Sequence, residues 1–473
     1  MGVSPEEAAA ECPFINEYCR TKHRSLVKCS WTPEKGRILL SQAAFKHGDV
    51  IFREPPLHIV AEQKGNKAFD RLKELCAQKP QVFEYEPLWY WTALNSLMAT
   101  QLPPSESRLM AITEDQQRKL FCLYHSEVTE PTTAVKLLVM DLGLEATLDP
   151  LSLERLLQIW ILNCFEHSDS PLGYSTYFMS SFMSHSCQPN AVWHYDKDDF
   201  VLRARSDIAA KDEICVSYLS EDALLESVIA RRKHLKDSKH FVCTCVRCIA
   251  ERDSSRGFRC PKCAAPAFYV CKADIKGASE LTGSTCDNCG HGLTAAEASD
   301  LVGEEKWLEQ KLEGCERRME KNSRSKHSAL LTPLEEAVER SGRTLSQHWL
   351  HDKAWQMLAD VYERNDRREA AEELLRKRIS FQQGAYPGLS GTRAWTSEAY
   401  ADMLLRHSGA TVDPHVKVPS QGAAEQLAKS AHPVYQEALR ILRLMFGEEH
   451  EYYTSVNRKA RELELEIQRF SKS

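Results

Sequence analysis

The period of apolar positions changes several times along the chain. In residues 28–60 the apolar runs are short, ILL at 38–40 and VIF at 50–52, and polar turns at Glu34–Gly36 and Lys46–Asp49 precede them. That pattern predicts short paired strands joined by tight turns, with Gly36 and Gly48 supplying backbone conformations that other residues resist. Residues 66–165 read differently. KAFDRLKELCAQ, DQQRKLFCLYH, TTAVKLLVMDLG and LSLERLLQIWILNCF carry apolar residues at helical spacing and contain no alternating strand pattern.

Extended text returns at 190–219, where a DKDD turn separates two runs and Val201, Arg203 and Arg205 alternate with Leu202 and Ala204. A cysteine-rich stretch follows at 243–289. From about residue 300 onward amphipathic helical blocks dominate. Their three- and four-residue spacing suits antiparallel helix pairs stacked into a solenoid, and with so poor a repeat an irregular helical bundle is the competing arrangement. Residues 384–420, rich in Gly, Pro and Ser, read as loop apart from a helix around Trp395–Arg406. The class expected is α+β.

Composition narrows the chemistry. The 473 residues hold 61 basic and 67 acidic side chains, a net charge of -6, which argues against a protein that chiefly grips a polyanion. No apolar run approaches the roughly 20 residues that span a bilayer. The first residues, MGVSPEEAAAECPF, have neither a basic nor an apolar leader region, so an intracellular protein is expected.

Many of the 17 cysteines lie in close pairs or triplets. In a reducing compartment such spacing points to metal, because thiolates two or three residues apart reach one tetrahedral zinc. Cys260-x2-Cys263 with Cys286-x2-Cys289 is a complete four-ligand set, although Cys271 between the pairs could replace one member. Cys243, Cys245 and Cys248 supply three ligands and need a fourth from elsewhere. Cys187, in FMSHSCQPN, is the candidate, with His185 the alternative. Cys12, Cys19, Cys29 and His23 are too loosely spaced to define a site, and Cys76, Cys122, Cys164, Cys215 and Cys315 read as small packing residues.

The KGR at 35–37, FMSHSCQPN, ICVSY and the C-x-C-x2-C resemble, in this order, the SET-domain lysine methyltransferases. The likeness is strongest to the branch with a helical insert splitting the SET domain and a tetratricopeptide-like C-terminal domain, including its apicomplexan apical-complex members. It covers residues 28–60 and 158–248. The resemblance implies an N-terminal extension at 1–27, SET segments at 28–65 and 158–222, a helical insert at 66–157, a post-SET zinc-binding region at 223–299 and a helical arm at 300–473.

It implies S-adenosylmethionine held by Lys35, Gly36, Arg37, Asn163, Ser184, His185 and Phe241, and an active-site tyrosine at Tyr218. It also implies structural zinc on Cys187, Cys243, Cys245 and Cys248. Tyr174 and Tyr177 are candidate pocket aromatics, equally suited to packing. The expected partner is a protein bearing a target lysine, with nucleic acid not expected and a homodimer through the C-terminal helices possible in this family. A cytoplasmic protein associated with the apical cytoskeleton, with or without a nuclear pool, is the implied placement. Two departures stand out: Ser184 replaces the usual asparagine, and residues 61–157 contain only Cys76 and Cys122, so the branch's inserted MYND zinc finger is absent. Trp349, Trp355 and Tyr362 are candidates for exposed contacts of the helical arm or for its interhelical core.

Overall fold

Strands β1 (Val27–Thr32) and β2 (Gly36–Ser41) form the expected antiparallel hairpin, with Thr32 opposite Gly36. Gly36 has φ +72°, where a side chain would strain the backbone even with open space around it. The computed structural model describes residues 5–102, 111–267, 271–273, 279–281, 285–321, 327–408 and 421–470. The chain divides into one unit of residues 1–184 and 190–216 and a second of residues 185–189 and 217–473.

In the first unit, helix α1 (Pro5–Lys22) packs on β1. Strands β3 (Val50–Glu54) and β4 (His58–Ala61) do not pair with each other, contrary to the run of neighbouring strands expected there. Helices α2 (Lys67–Gln78), α3 (Pro87–Leu94), α4 (Glu114–Phe121), α5 (Thr133–Asp141) and α6 (Pro150–Asn163) follow. Their starts are written in the sequence. Asn66, Thr113, Thr132 and Asp149 each accept a hydrogen bond from a first-turn N–H of α2, α4, α5 and α6.

Strands β5 (Phe165–Asp169), β6 (Leu172–Thr176), β7 (Ser184–His185), β8 (Ala191–Asp196), β9 (Asp199–Ala204) and β10 (Cys215–Val216) come next. One sheet has the order β4-β6-β5 and another β3-β9-β8. The DKDD turn is the two-residue link between β8 and β9, which pair from Ala191–Ala204 to Asp196–Asp199. The alternation expected along β9 is not kept: Val201 and Leu202 are both fully buried. β9 is the central strand, covered on both faces, so neighbouring positions enter the core together. The core of this unit also takes Trp91 of α3 and Trp160 of α6, whose indole N–H donates to Ser96 Oγ at 2.8 Å.

The second unit contains α7 (Val228–Lys239), α8 (Val246–Ile249), β11 (Arg256–Arg259), β12 (Pro266–Ala267), β13 (Cys271–Ala273), β14 (Ser279–Leu281) and α9 (Ala295–Glu320). After these come α10 (Leu331–Ser341), β15 (Leu345–His348), α11 (Trp349–Arg364), α12 (Arg368–Ala385), α13 (Gly391–Ser408), α14 (Gln421–Phe446) and α15 (Glu451–Phe470). From α9 to α15 each helix packs on its successor in the chain. Within 384–420 the helix expected around Trp395–Arg406 is the longer α13, residues 386–390 are loop as expected, and residues 409–420 lie outside the described residues. Trp349, Trp355 and Tyr362 join the interhelical core, and the Tyr362 hydroxyl donates to Glu335 at 2.9 Å. Their apolar faces are occupied by helix packing.

Among the described residues no helix is long and apolar enough to cross a membrane. β15 runs antiparallel to β11 and is fastened to α9 by a buried cluster in which Arg256 grips Glu305 at 2.6 and 2.8 Å and His348 reaches it at 3.2 Å. Burial alone would raise the Glu305 pKa, but these partners outweigh it and hold the carboxylate at about 2. Arg256→Met should cost about 3–5 kcal/mol, because it leaves a buried carboxylate without its main partner. Urea denaturation of the variant is the check, and a loss below about 1 kcal/mol would contradict this view of the cluster.

Candidate active site and metal centres

Cys187, Cys243, Cys245 and Cys248 bring four sulfur atoms within 4.8 Å of one another, and Cys260, Cys263, Cys286 and Cys289 do the same. Both sets are those expected from the spacing, and Cys187 supplies the missing fourth donor from a segment over fifty residues away in the chain. The sulfurs of Cys187 and Cys248 lie 3.4 Å apart, those of Cys260 and Cys289 3.7 Å, and those of Cys263 and Cys286 3.8 Å. A disulfide would hold its sulfurs at about 2.05 Å. Zinc with four bonds of about 2.3 Å spaces them by about 3.8 Å, so the donors fit a tetrahedral ion. The side chain of Cys271 lies outside the described residues, and Cys12, Cys19, Cys29 and His23 belong to neither group.

Local backbone geometry favours thiolate. The N–H of Cys187 points at Cys245 Sγ at 3.4 Å and that of Cys245 at Cys243 Sγ at 3.5 Å. Hydrogen bonds from Cys187, Cys243 and Cys248 hold Cys245 far below the ordinary thiol range, and the Cys243 contact leads those that push Cys187 up. Four sulfurs this close cannot keep four independent protons, whereas a divalent cation stabilises all of them as thiolates. In the second set, a hydrogen bond from the Asn288 side chain leads the effects that lower Cys263 to about 6.

His185 stands beside the first set and is not needed as a ligand. Its Nδ1 accepts the backbone N–H of Tyr218 at 2.9 Å, while Nε2 lies 3.3 Å from Cys187 Sγ. Burial pushes its pKa down to about 4, so at neutral pH the ring carries one proton. Since Nδ1 is occupied as an acceptor, that proton sits on Nε2 and points at the sulfur. One imidazole therefore joins a zinc-ligand sulfur to the Tyr218 backbone. The rings of His185 and Tyr218 are 5.3 Å apart, that of Phe241 is 6.0 Å from His185 and 6.4 Å from Tyr218, and Lys239 Nζ is 6.0 Å from the Tyr218 ring.

Tyr218 is 43% exposed. A tyrosine that served only to fill a strand core would be covered.

Sequence reasoning missed two arginines here. Arg231, fully buried on α7, directs a guanidinium N–H at Cys248 Sγ at 3.8 Å and lies 4.0 Å from Asp253. Arg247 donates to the carbonyl of Cys187 at 3.3 Å. Arg231 sits in the charge-dense stretch ARRKHLK, which looks like solvated surface until the fold buries it, and Arg247 sits between two cysteines of CVRC that draw the reading to metal.

In the first unit, Lys35 reaches Glu213 at 2.5 Å, and the buried Arg37 side chain pairs with Glu11 and lies 5.2 Å from the Phe182 ring. With their side chains so engaged, Lys35, Gly36 and Arg37 have their backbone left to offer. Asn163 donates to the carbonyls of Tyr124 and Ile159, each at 2.7 Å, which leaves its Oδ1 as the group available to a ligand. Ser184 is half-buried at the start of β7.

Of the two candidate pocket aromatics, Tyr174 stacks on Trp89 at 4.4 Å, and fully buried Tyr177 donates its hydroxyl to the Asp198 carbonyl at 2.7 Å. Glu54, also missed, is buried beneath the SHSC approach and accepts the N–H groups of Met179 and Ser180 at 2.8 and 3.1 Å.

Residues 36–219 match the family model of the SET domain. The match contains Gly36, Arg37, Asn163, the SHSC motif and Tyr218, while Lys35 precedes it and Phe241 and most of the cysteine ligands follow it. The chain is similar to the histone-lysine N-methyltransferase ASHR1 of Arabidopsis thaliana, 30% identical over 162 residues covering 32% of each protein. It is 37% identical over 83 residues to the human protein-lysine N-trimethyltransferase SMYD5, covering 17% of this chain and 20% of that protein. The chain thus spans about a third or less of these relatives. A solved structure of the SET domain of LSMT bound to lysine and AdoHcy aligns over 97% of this chain and 93% of that one, at 10% identity and a TM-score of 0.29.

Protein purified under reducing conditions is expected to carry two zinc ions per chain, one for each sulfur set. Native mass spectrometry should show Cys245→Ser and Cys263→Ser each losing one of them. Metal-free wild-type protein that keeps its fold would contradict the assignment.

Proposed function

We propose that this chain transfers methyl groups from S-adenosylmethionine to lysine side chains of a protein substrate. The observation that carries the reading is the exposed Tyr218 ring, its backbone bonded to His185 of the SHSC motif next to a four-thiol site. SET-domain similarity over residues 36–219, shared with relatives named as lysine methyltransferases, supports it.

When bound, S-adenosylmethionine supplies a methyl group made electrophilic by its sulfonium. The chain has to hold an uncharged lysine amine in line with the breaking bond and keep water away, which is work of position. The backbone of Lys35, Gly36 and Arg37 would take the amino-acid end of the cofactor, Asn163 Oδ1 a polar group, Ser184 and His185 the adenosyl part, and Phe241 the adenine. Tyr218 would direct its hydroxyl oxygen toward the reacting centre. Ser184 offers one hydroxyl where a carboxamide offers separate donor and acceptor groups, so this position contributes fewer hydrogen bonds.

Zinc acts structurally in this reading, and Tyr174 and Tyr177 support the pocket through packing. The split of the SET domain by α2–α6 is supported by their place between β4 and β5, and the tetratricopeptide-like arm by the consecutive packing of α10–α15. Placement at an apical cytoskeleton and self-association through the arm rest on family likeness. A SET-like scaffold that has lost cofactor binding through Ser184 is the rival reading.

Calorimetry on zinc-loaded protein separates the two readings. Micromolar binding of S-adenosylmethionine, about -8 kcal/mol, is expected, and folded protein with both zinc ions and no binding would sink the proposal. Tyr218→Phe should keep that binding while turnover on a lysine substrate falls at least ~10-fold. Wild-type turnover by this variant would remove Tyr218 from the mechanism.

A further inference from the structure

The residues that follow Tyr218 are fastened at both ends of one helix-to-helix turn. Glu221 accepts the N–H of Gly391 at 2.8 Å, and Asp222 accepts the hydroxyl of Thr392 at 2.6 Å. Gly391 and Thr392 open α13, so two carboxylates stand at the positive end of that helix. On the other side of the turn the charge is reversed. Arg247 donates to the carbonyl of Ala385, the last residue of α12, at 3.3 Å, and its guanidinium lies 5.1 Å from the Tyr386 ring.

The same guanidinium holds the carbonyls of Cys187 and Leu224 and the hydroxyl of Ser255. Arg247 is thus a hub whose planar fork reaches the zinc-ligand segment, the stretch after Tyr218 and the end of α12. A point-like ammonium cannot serve four acceptors spread in this way. Ser254 reinforces the arrangement by donating to the Ala385 carbonyl at 2.9 Å.

We propose that the α12–α13 turn is part of the mounting of Tyr218, and that Arg247, Glu221 and Asp222 are positioning residues that fix residues 217–226 against it. The helical arm then has a role in turnover even where it touches no substrate. This inference rests on the methyltransferase reading for its kinetic consequence and on the geometry alone for its structural one.

The test compares full-length wild type, Arg247→Met, Arg247→Lys and Thr392→Val, each loaded with zinc. Hydrogen–deuterium exchange of peptides covering 217–226 is read first, because it requires no activity. Arg247→Met should speed exchange there by ~10-fold or more while the β8–β9 hairpin is unchanged. With a lysine substrate, kcat should fall on the order of 100-fold, the expected scale for an ångström-sized misplacement, with S-adenosylmethionine affinity within about 3-fold of wild type.

Arg247→Lys should recover part of both effects. Should Arg247→Met fail to fold, Thr392→Val, which removes one hydroxyl of similar volume, must show the same direction of change in exchange. Unchanged exchange at 217–226 in a folded variant overturns the mounting. Faster exchange with wild-type kcat overturns the positioning role. If wild-type protein neither binds the cofactor nor transfers methyl groups, the functional reading fails while the exchange result still decides the mounting.

Discussion

Four sulfur atoms from two distant stretches of chain make the contact on which the rest of the site depends. Cys187 lies in the short segment 185–189, and the other three ligands lie in 243–248. Without a cation, four clustered thiols have little reason to stay together; with zinc, they become a cross-link that constrains two segments at once. The backbone N–H groups aimed at sulfur, the His185 Nε2 proton and the Arg231 guanidinium all direct positive charge toward the cluster. That is what four zinc-bound thiolates with a net negative charge require in a buried setting.

From this centre the order passes outward through single side chains. His185 ties Cys187 to the Tyr218 backbone, and Arg247 ties the Cys187 carbonyl to Leu224 and Ala385. A metal that takes no part in the chemistry can thus set the position of an exposed tyrosine. The second sulfur set, with Cys289 exposed and Arg252 paired with Asp287 beside it, lies in the ribbon that includes β11 and β12 and contributes no sulfur to the first.

Much of the architecture was legible because it is encoded locally. The Gly36 turn, the DKDD link and the capped starts of α2, α4, α5 and α6 each depend on residues a few positions apart, and C-x2-C spacing announces metal by itself. The pairing of β3 with β9 was hidden, because registers between distant strands leave no local trace. The two-sided burial of β9 could not be read from alternation, since a central strand suppresses it. Tyr177 shows the same limit: nothing in the sequence seven residues before Ser184 discloses that its buried hydroxyl bonds the Asp198 carbonyl. Arg231 was concealed by composition, because a run of charged residues resembles solvated surface until sulfurs and carbonyls are found around it, and Arg247 by the cysteines that flank it.

The central claim is that the first sulfur set holds the Tyr218 segment through zinc and His185. The direct test is residue-resolved amide exchange with and without removal of zinc by a chelator, in reducing buffer. Loss of protection at the Tyr218 amide, with the β8–β9 amides still protected, is the result this account requires. Equal protection of Tyr218 in the zinc-loaded and zinc-free protein would contradict it.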